Sequence, residues 1–161
     1  MKFKLVYFVL VGILLTSCSK EDDGIYFDEI AEVEVEYSAI ELEIFDLINE
    51  YRESIGVKPL EALNIISSVA ESHTEYMIEV GQINHDFFAE RQENLVKKAN
   101  AKAVGENVAY GYSTARGAVN GWLNSDAHRR LIEKPQYTHF GISTEQDSKG
   151  RNFFTQMFIE R

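Results

Sequence analysis

From Ile40 onward the apolar residues fall at helical intervals, with Ile40, Ile44, Leu47, Ile48, Tyr51 and Ile55 on one stripe. Ser38 and Glu41 stand before it at the spacing of a capping box, and Gly56 and Pro59 close it, so a helix is predicted over about 40–55. A second stripe of Leu63, Ile66, Ala70 and Met77 predicts a helix from about Leu60 to Val80, ending at Gly81. His73 lies within that helix; a lone helical histidine packs or faces water more often than it binds, and it is set outside the candidate site. After a loop carrying His85, a shorter helix is expected over Phe88 to Asn100, with Arg91, Lys97 and Lys98 on its wet side. Ala103 to Ala109 alternates weakly and favours a strand. Ser113 is expected to cap a third long helix through Ala118, Val119 and Trp122, ending near Asp126. Two final runs, Thr138 to Glu145 and Asn152 to Ile159, are joined by the turn-forming Asp147-Ser-Lys-Gly150 and read as a β-hairpin.

That order, three helices and a strand followed by a helix and two strands, does not repeat a βαβ unit. The expected class is α+β: a three-layer α-β-α sandwich whose small, largely antiparallel sheet carries helices on both faces.

The N-terminus adds a second part. Lys2 and Lys4 precede an apolar run from Leu5 to Leu15, which is of signal-peptide length and shorter than the roughly 20 residues a membrane-spanning helix needs. The Leu15-Thr-Ser-Cys18 end resembles a bacterial lipobox, which implies cleavage before Cys18 and lipid on its thiol. The plainer alternative is an ordinary signal peptide beside an incidental cysteine. The expected division is a lipoprotein signal peptide over 1–17, an acidic lipid-anchored tether over 18–37 and one domain over 38–161. Ser19-Lys-Glu-Asp-Asp23 resembles a surface-export signal of some bacterial lipoproteins, and reads equally as a charged spacer.

Cys18 is the only cysteine, so no disulfide braces the domain and its apolar core must hold it together. The net charge of −10 repels phosphate backbones and argues against nucleic acid as a partner.

Five features then occur in order: Gly81-Gln-Ile-Asn-His85, Gly105-Glu-Asn-Val-Ala109, Gly121-Trp-Leu-Asn-Ser-Asp-Ala-His-Arg129, Tyr137-Thr-His-Phe-Gly-Ile142 and Phe153-Phe-Thr-Gln156. Together they resemble the CAP superfamily, the group of cysteine-rich secretory, antigen 5 and pathogenesis-related 1 proteins with an SCP-like domain, in its bacterial lipoprotein branch. The resemblance spans about Ile40 to Arg161. It implies the same sandwich, and a cleft whose histidines match His85 and His128 and whose glutamate matches Glu106. Many members carry a second acidic residue where this chain has Ser125; Asp126 stands beside it. The resemblance also implies lipid, sterol-like or cell-surface ligands.

Two neutral imidazoles and a carboxylate can hold a divalent cation such as zinc or magnesium, directly or through water, with a position left open. The spacings between His85, Glu106 and His128 exclude a local helical metal motif, so only the fold could assemble this set. The plain structural reading has Glu106 tie neighbouring elements together through a histidine or a backbone amide. Catalysis needs a nucleophile and a base. Ser125 and His128 are three residues apart and could touch at a helix end, or Ser125 could simply cap the next turn, and no Gly-x-Ser-x-Gly elbow occurs. Phe87, Phe88, Phe140, Phe153, Phe154 and Phe158 could line a groove, but strand alternation sends about half of them to the core. The expected role is therefore a ligand-binding or interaction module of the cell envelope, bound to a membrane through Cys18. A metal-dependent hydrolase using the same cleft, and a purely structural envelope protein, are the alternatives.

Overall fold

The computed structural model describes residues 34–161. The expected signal peptide, Cys18 and the tether as far as residue 33 lie outside the described residues. Tyr37, at the expected end of the tether, packs edge-on against Phe45 and shares a 2.8 Å hydrogen bond with the Ser67 hydroxyl.

Helix α1 spans Ala39–Ser54. The Glu41 carboxylate reaches back to the Ser38 amide at 2.8 Å, as the capping spacing predicts. The chain then forms a two-residue strand, β1 (Glu61–Ala62), which pairs in parallel with the third strand. Helix α2 (Asn64–Val80) therefore begins four residues later than expected, because the backbone at 61 and 62 is engaged in the sheet. Gly81 ends it in the left-handed conformation at φ 69°, which only glycine adopts freely. Helix α3 (Phe88–Ala99) and strand β2 (Ala103–Tyr110) follow.

The third long helix ends close to the expected place, but a further, unexpected helix follows it. Helix α4 (Ala115–Leu123) is capped by Thr114 and not by Ser113: the Thr114 hydroxyl accepts the Gly117 amide at 3.1 Å. After a break at Asn124 and Ser125 the chain re-enters helix α5 (Asp126–Glu133). The hairpin is β3 (His139–Gln146) and β4 (Asn152–Glu160).

The sheet order is β1-β3-β4-β2, antiparallel except for β1 against β3. Helices α2 and α3 cover one face, where Ile66, Val69, Ala70, Leu95 and Ala99 pack with Met157 and Ile159. Helices α1, α4 and α5 cover the other, where Ile44, Ile48, Trp122 and Ile132 pack with Phe140, Phe154 and Phe158. Successive residues of β4 alternate between the two layers, which gives the three-layer sandwich. Phe140, Phe153, Phe154 and Phe158 are all buried, so core packing and not a groove accounts for them. Along the outer rim of β3, the Ile142 amide donates to the Ser67 hydroxyl at 3.2 Å and the Thr144 amide to Glu41 at 2.7 Å.

Candidate functional site

Strand β2 is a margin of the sheet, and the candidate site is built around two adjacent residues on it. Because strand side chains alternate, Glu106 faces the α2 and α3 layer while Asn107 faces α5. Each holds one of the histidines that the sequence nominates.

On the first side, Glu106 is 6% exposed and its carboxylate is fully engaged. Oε1 accepts from His85 Nδ1 at 2.7 Å and from Arg91 Nη2 at 2.8 Å, and Oε2 accepts from Arg91 Nε at 2.7 Å. Burial pushes its pKa upward, but the bonds from His85 and Arg91 and the guanidinium charge outweigh that and hold it below the usual value. The carboxylate is thus ionised at neutral pH, and the Nδ1 of His85 carries the proton that it donates. The His85 side chain is about half exposed at 51%.

Arg91, expected on the wet side of its helix, is instead fully buried. A buried guanidinium needs a buried anion, and Glu106 supplies it in a side-on, two-bond geometry. Its Nη1 also donates to the Asp86 carbonyl at 2.6 Å, which ties the His85 loop to α3. His73, left out on sequence grounds, belongs to the same cluster. It is buried, its Nε2 donates to the Asn84 carbonyl at 3.0 Å, and that nitrogen lies 3.8 Å from Glu106. Burial first, and then the charge of Arg91, bring its pKa down to about 4, so it is neutral near pH 7. Both residues had a sequence signal. Arg91 is in step with Phe88, Leu95 and Ala99, and His73 falls between Ala70 and Met77, so each is a polar residue on an apolar stripe.

On the second side the contacts are neutral. Asn107 Nδ2 donates to the His128 carbonyl and to Gln156 Oε1, both at 3.3 Å. Asn107 Oδ1 and Gln156 Nε2 are buried without a hydrogen-bond partner among the described residues. Arg52, buried in α1, holds the far end of α5 through the carbonyls of Ile132 and Lys134. The His128 ring is half-buried and makes no hydrogen bond to another described residue. Burial, helped by the neighbouring His85, lowers its pKa. The two imidazoles are thus close enough to feel one another's charge. A pocket of about 230 Å³ is lined in part by Ile83, Trp122 and His128.

The Cysteine-rich secretory protein (CAP) family model matches residues 45–158. The chain belongs to the CAP family. Across 75% of its length it is 34% identical to the uncharacterized membrane protein YlbC of Bacillus subtilis, and across 76% it is 30% identical to YkwD of the same organism. It spans only 34% and 48% of those two proteins, so they contain much that this chain does not share. Its fold is similar to that of an outer surface protein from Borrelia burgdorferi (TM-score 0.70, 19% identity, covering 81% of this chain and 99% of that one). It also resembles an extracellular protein with an SCP domain from Bacillus anthracis (TM-score 0.66, 24% identity, covering 80% and 45%).

Within this CAP domain Ser125 stands at the N-cap position of α5, yet its hydroxyl makes no capping bond and none to His128. Asp126 points to Arg129, at 2.6 Å, and is largely exposed, so it does not take the place of a second acidic residue in the cleft. Divalent metal is a poor fit to His85, Glu106 and His128 as a set, since both Glu106 oxygens are already engaged and a guanidinium sits against them. Among the described residues no group of three or more His, Cys, Asp or Glu is arranged to hold an ion. The donors left for a ligand are His85 Nε2 and the His128 ring, with Glu106 behind His85 as an orienting partner.

Proposed function

We propose that this CAP domain is a ligand-binding module displayed outside the cytoplasm, tethered to a membrane by lipid on Cys18, and that its ligand enters the opening between His85 and His128. One observation carries the reading: of two consecutive residues of β2, Glu106 holds the His85 imidazole and Asn107 holds the backbone carbonyl of His128, which leaves the His128 ring unbonded among the described residues. A buried ion pair costs desolvation and is weak evidence for stability alone. Here it fixes the tautomer of an exposed histidine, which a purely structural role does not need. The likeness to a membrane protein and to an extracellular one agrees with presentation at the envelope.

The test is a titration of the full chain with Zn²⁺, used as a probe of the two ring nitrogens and not of a site that includes Glu106, followed through the imidazole resonances of His85 and His128. Joint perturbation of both rings, lost in His85→Ala, is expected. Response at neither ring returns the domain to a scaffold role. For the anchor, Cys18→Ala is expected to move the protein from the membrane to the soluble envelope fraction; unchanged membrane association defeats it.

The dyad of Glu106 and His85 supports a second reading, proton transfer by His85 Nε2 in a hydrolysis. Turnover of a peptide library that is lost in His85→Gln would favour it.

A further inference from the structure

The pocket beside His128 is small, mostly apolar and firmly walled, and those three properties narrow what it takes. We propose that it is a subsite for a single uncharged aromatic ring carrying a hydrogen-bond donor, a phenol- or indole-type group. The proposal rests on the reading of the His85 and His128 opening as a binding cleft and names the chemistry of one part of its ligand.

Size comes first. At about 230 Å³ the pocket lies below the roughly 300 Å³ where sites for drug-sized ligands begin. It exceeds the dry cavity of about 150 Å³ that admits a benzene. It therefore suits one ring and excludes a whole lipid.

The walls come next. Of the seven large apolar residues that the described surface exposes, Ile83, Tyr110 and Tyr112 meet at this mouth, whereas exposed apolar residues are ordinarily scattered singly. Tyr110 is held between Phe153, with ring centres 4.6 Å apart, and the Arg151 guanidinium, 5.1 Å from its own ring centre. The Tyr112 carbonyl accepts from Asn152 Nδ2 at 2.8 Å, and its ring lies on α4 at Gly121. A Cβ at Gly121 would stand 2.6 Å from Tyr112 Cζ and closer still to the hydroxyl, so only glycine lets that ring settle there. Such walls are set before a ligand arrives, which lowers the ordering cost of binding. Aromatic walls favour a ring through offset and edge-on contacts beyond simple burial.

Charge and polarity narrow the choice further. The His128 ring makes no hydrogen bond to another described residue, so it offers a nitrogen lone pair to an O–H or N–H donor. No lysine or arginine is among the described residues that line the pocket, and the nearby Arg151 is bound to Asp147 by two bonds, at 2.6 and 2.8 Å. The protein as a whole carries −10. A fatty-acid carboxylate is thereby disfavoured.

Trp122 lines this pocket and is the only tryptophan of the chain, so its fluorescence reports on this pocket. The full chain is titrated with p-cresol, toluene and hexanoate, with excitation beyond tyrosine absorption. Saturable change with p-cresol is expected, about fivefold weaker binding of toluene for want of one hydrogen bond, and no saturation with hexanoate. In His128→Phe the preference for p-cresol over toluene is expected to vanish. Ile83→Asn, in an exposed loop that leaves the core untouched, is expected to weaken both rings about tenfold. Gly121→Ala should do the same by displacing Tyr112. Failure of p-cresol to saturate, hexanoate binding as tightly as p-cresol, or an unchanged response in Ile83→Asn overturns the proposal. If His85 and His128 still respond to Zn²⁺ in that event, the cleft stands and the ring subsite alone falls.

Discussion

The two sides of β2 hold their histidines by opposite means. On the α3 side an ionised carboxylate is saturated by a guanidinium and an imidazole, with every bond between 2.7 and 2.8 Å. On the α5 side two amides meet at 3.3 Å, and one polar atom of each is left alone. The charged side is stiff and costly to disturb, because removing either Glu106 or Arg91 strands a buried ion. The neutral side is loose and cheap to disturb. A cleft built this way keeps His85 fixed and leaves His128 the more adjustable wall.

The largest expected effect tests the charged side. Glu106→Gln leaves Arg91 buried without its counter-ion and should lower unfolding stability by about 3–5 kcal/mol in urea titrations. A loss below about 1 kcal/mol would mean that Arg91 finds water and that the two sides do not differ. Acid comes next. Folded His73 titrates at about 4 against 6.5 for the free side chain, so its stabilising contribution is complete above pH 6.5 and is lost as the pH falls toward 4. The full span is about 3 kcal/mol. Glu106, also lowered by folding, adds loss of the same sign as the pH drops below its unfolded value and then through its folded one. Stability at pH 7, 5.5 and 4 should therefore decline stepwise, and His73→Gln should flatten the upper part; a profile that is already flat refutes the buried neutral imidazole.

The neutral side is expected to respond less. Asn107→Ala should cost about 1 kcal/mol, since the bonds lost are long and uncharged, while the imidazole resonances of His128 shift and those of His85 do not. A cost equal to that of Glu106→Gln erases the contrast. Smallest of all, Ser125→Ala should change stability by less than about 0.5 kcal/mol, because its hydroxyl caps nothing; Thr114→Ala, at a cap that is formed, should cost about 1 kcal/mol by the same measurement.

Much of this architecture is legible in the chain because its long helices and its hairpin carry their own signals. The capping pair of Ser38 and Glu41, the stripe ending at Gly81 and the alternation after Asn152 each write a local rule. What escapes is short or non-local. Strand β1 has two residues and exists only because β3 lies beside it. Helix α5 has eight, mostly polar, and is held by Arg52 and Asn107 from distant elements. The site follows the same division. His85, Glu106 and His128 are found through motifs whose spacing suggests nothing by itself. Arg91 and His73 are missed because a lone polar residue on an apolar stripe reads as an exception until its partner across the fold is known.

The plugs along β3 have an effect at the scale of many molecules. A bare strand rim offers rows of amide donors to any copy that drifts past, and domains crowded on a surface meet often. Here Ser67 of α2 and Glu41, which also caps α1, occupy those donors from within the same chain. Neighbouring copies are thereby denied these β3 amides as a template for adding a strand.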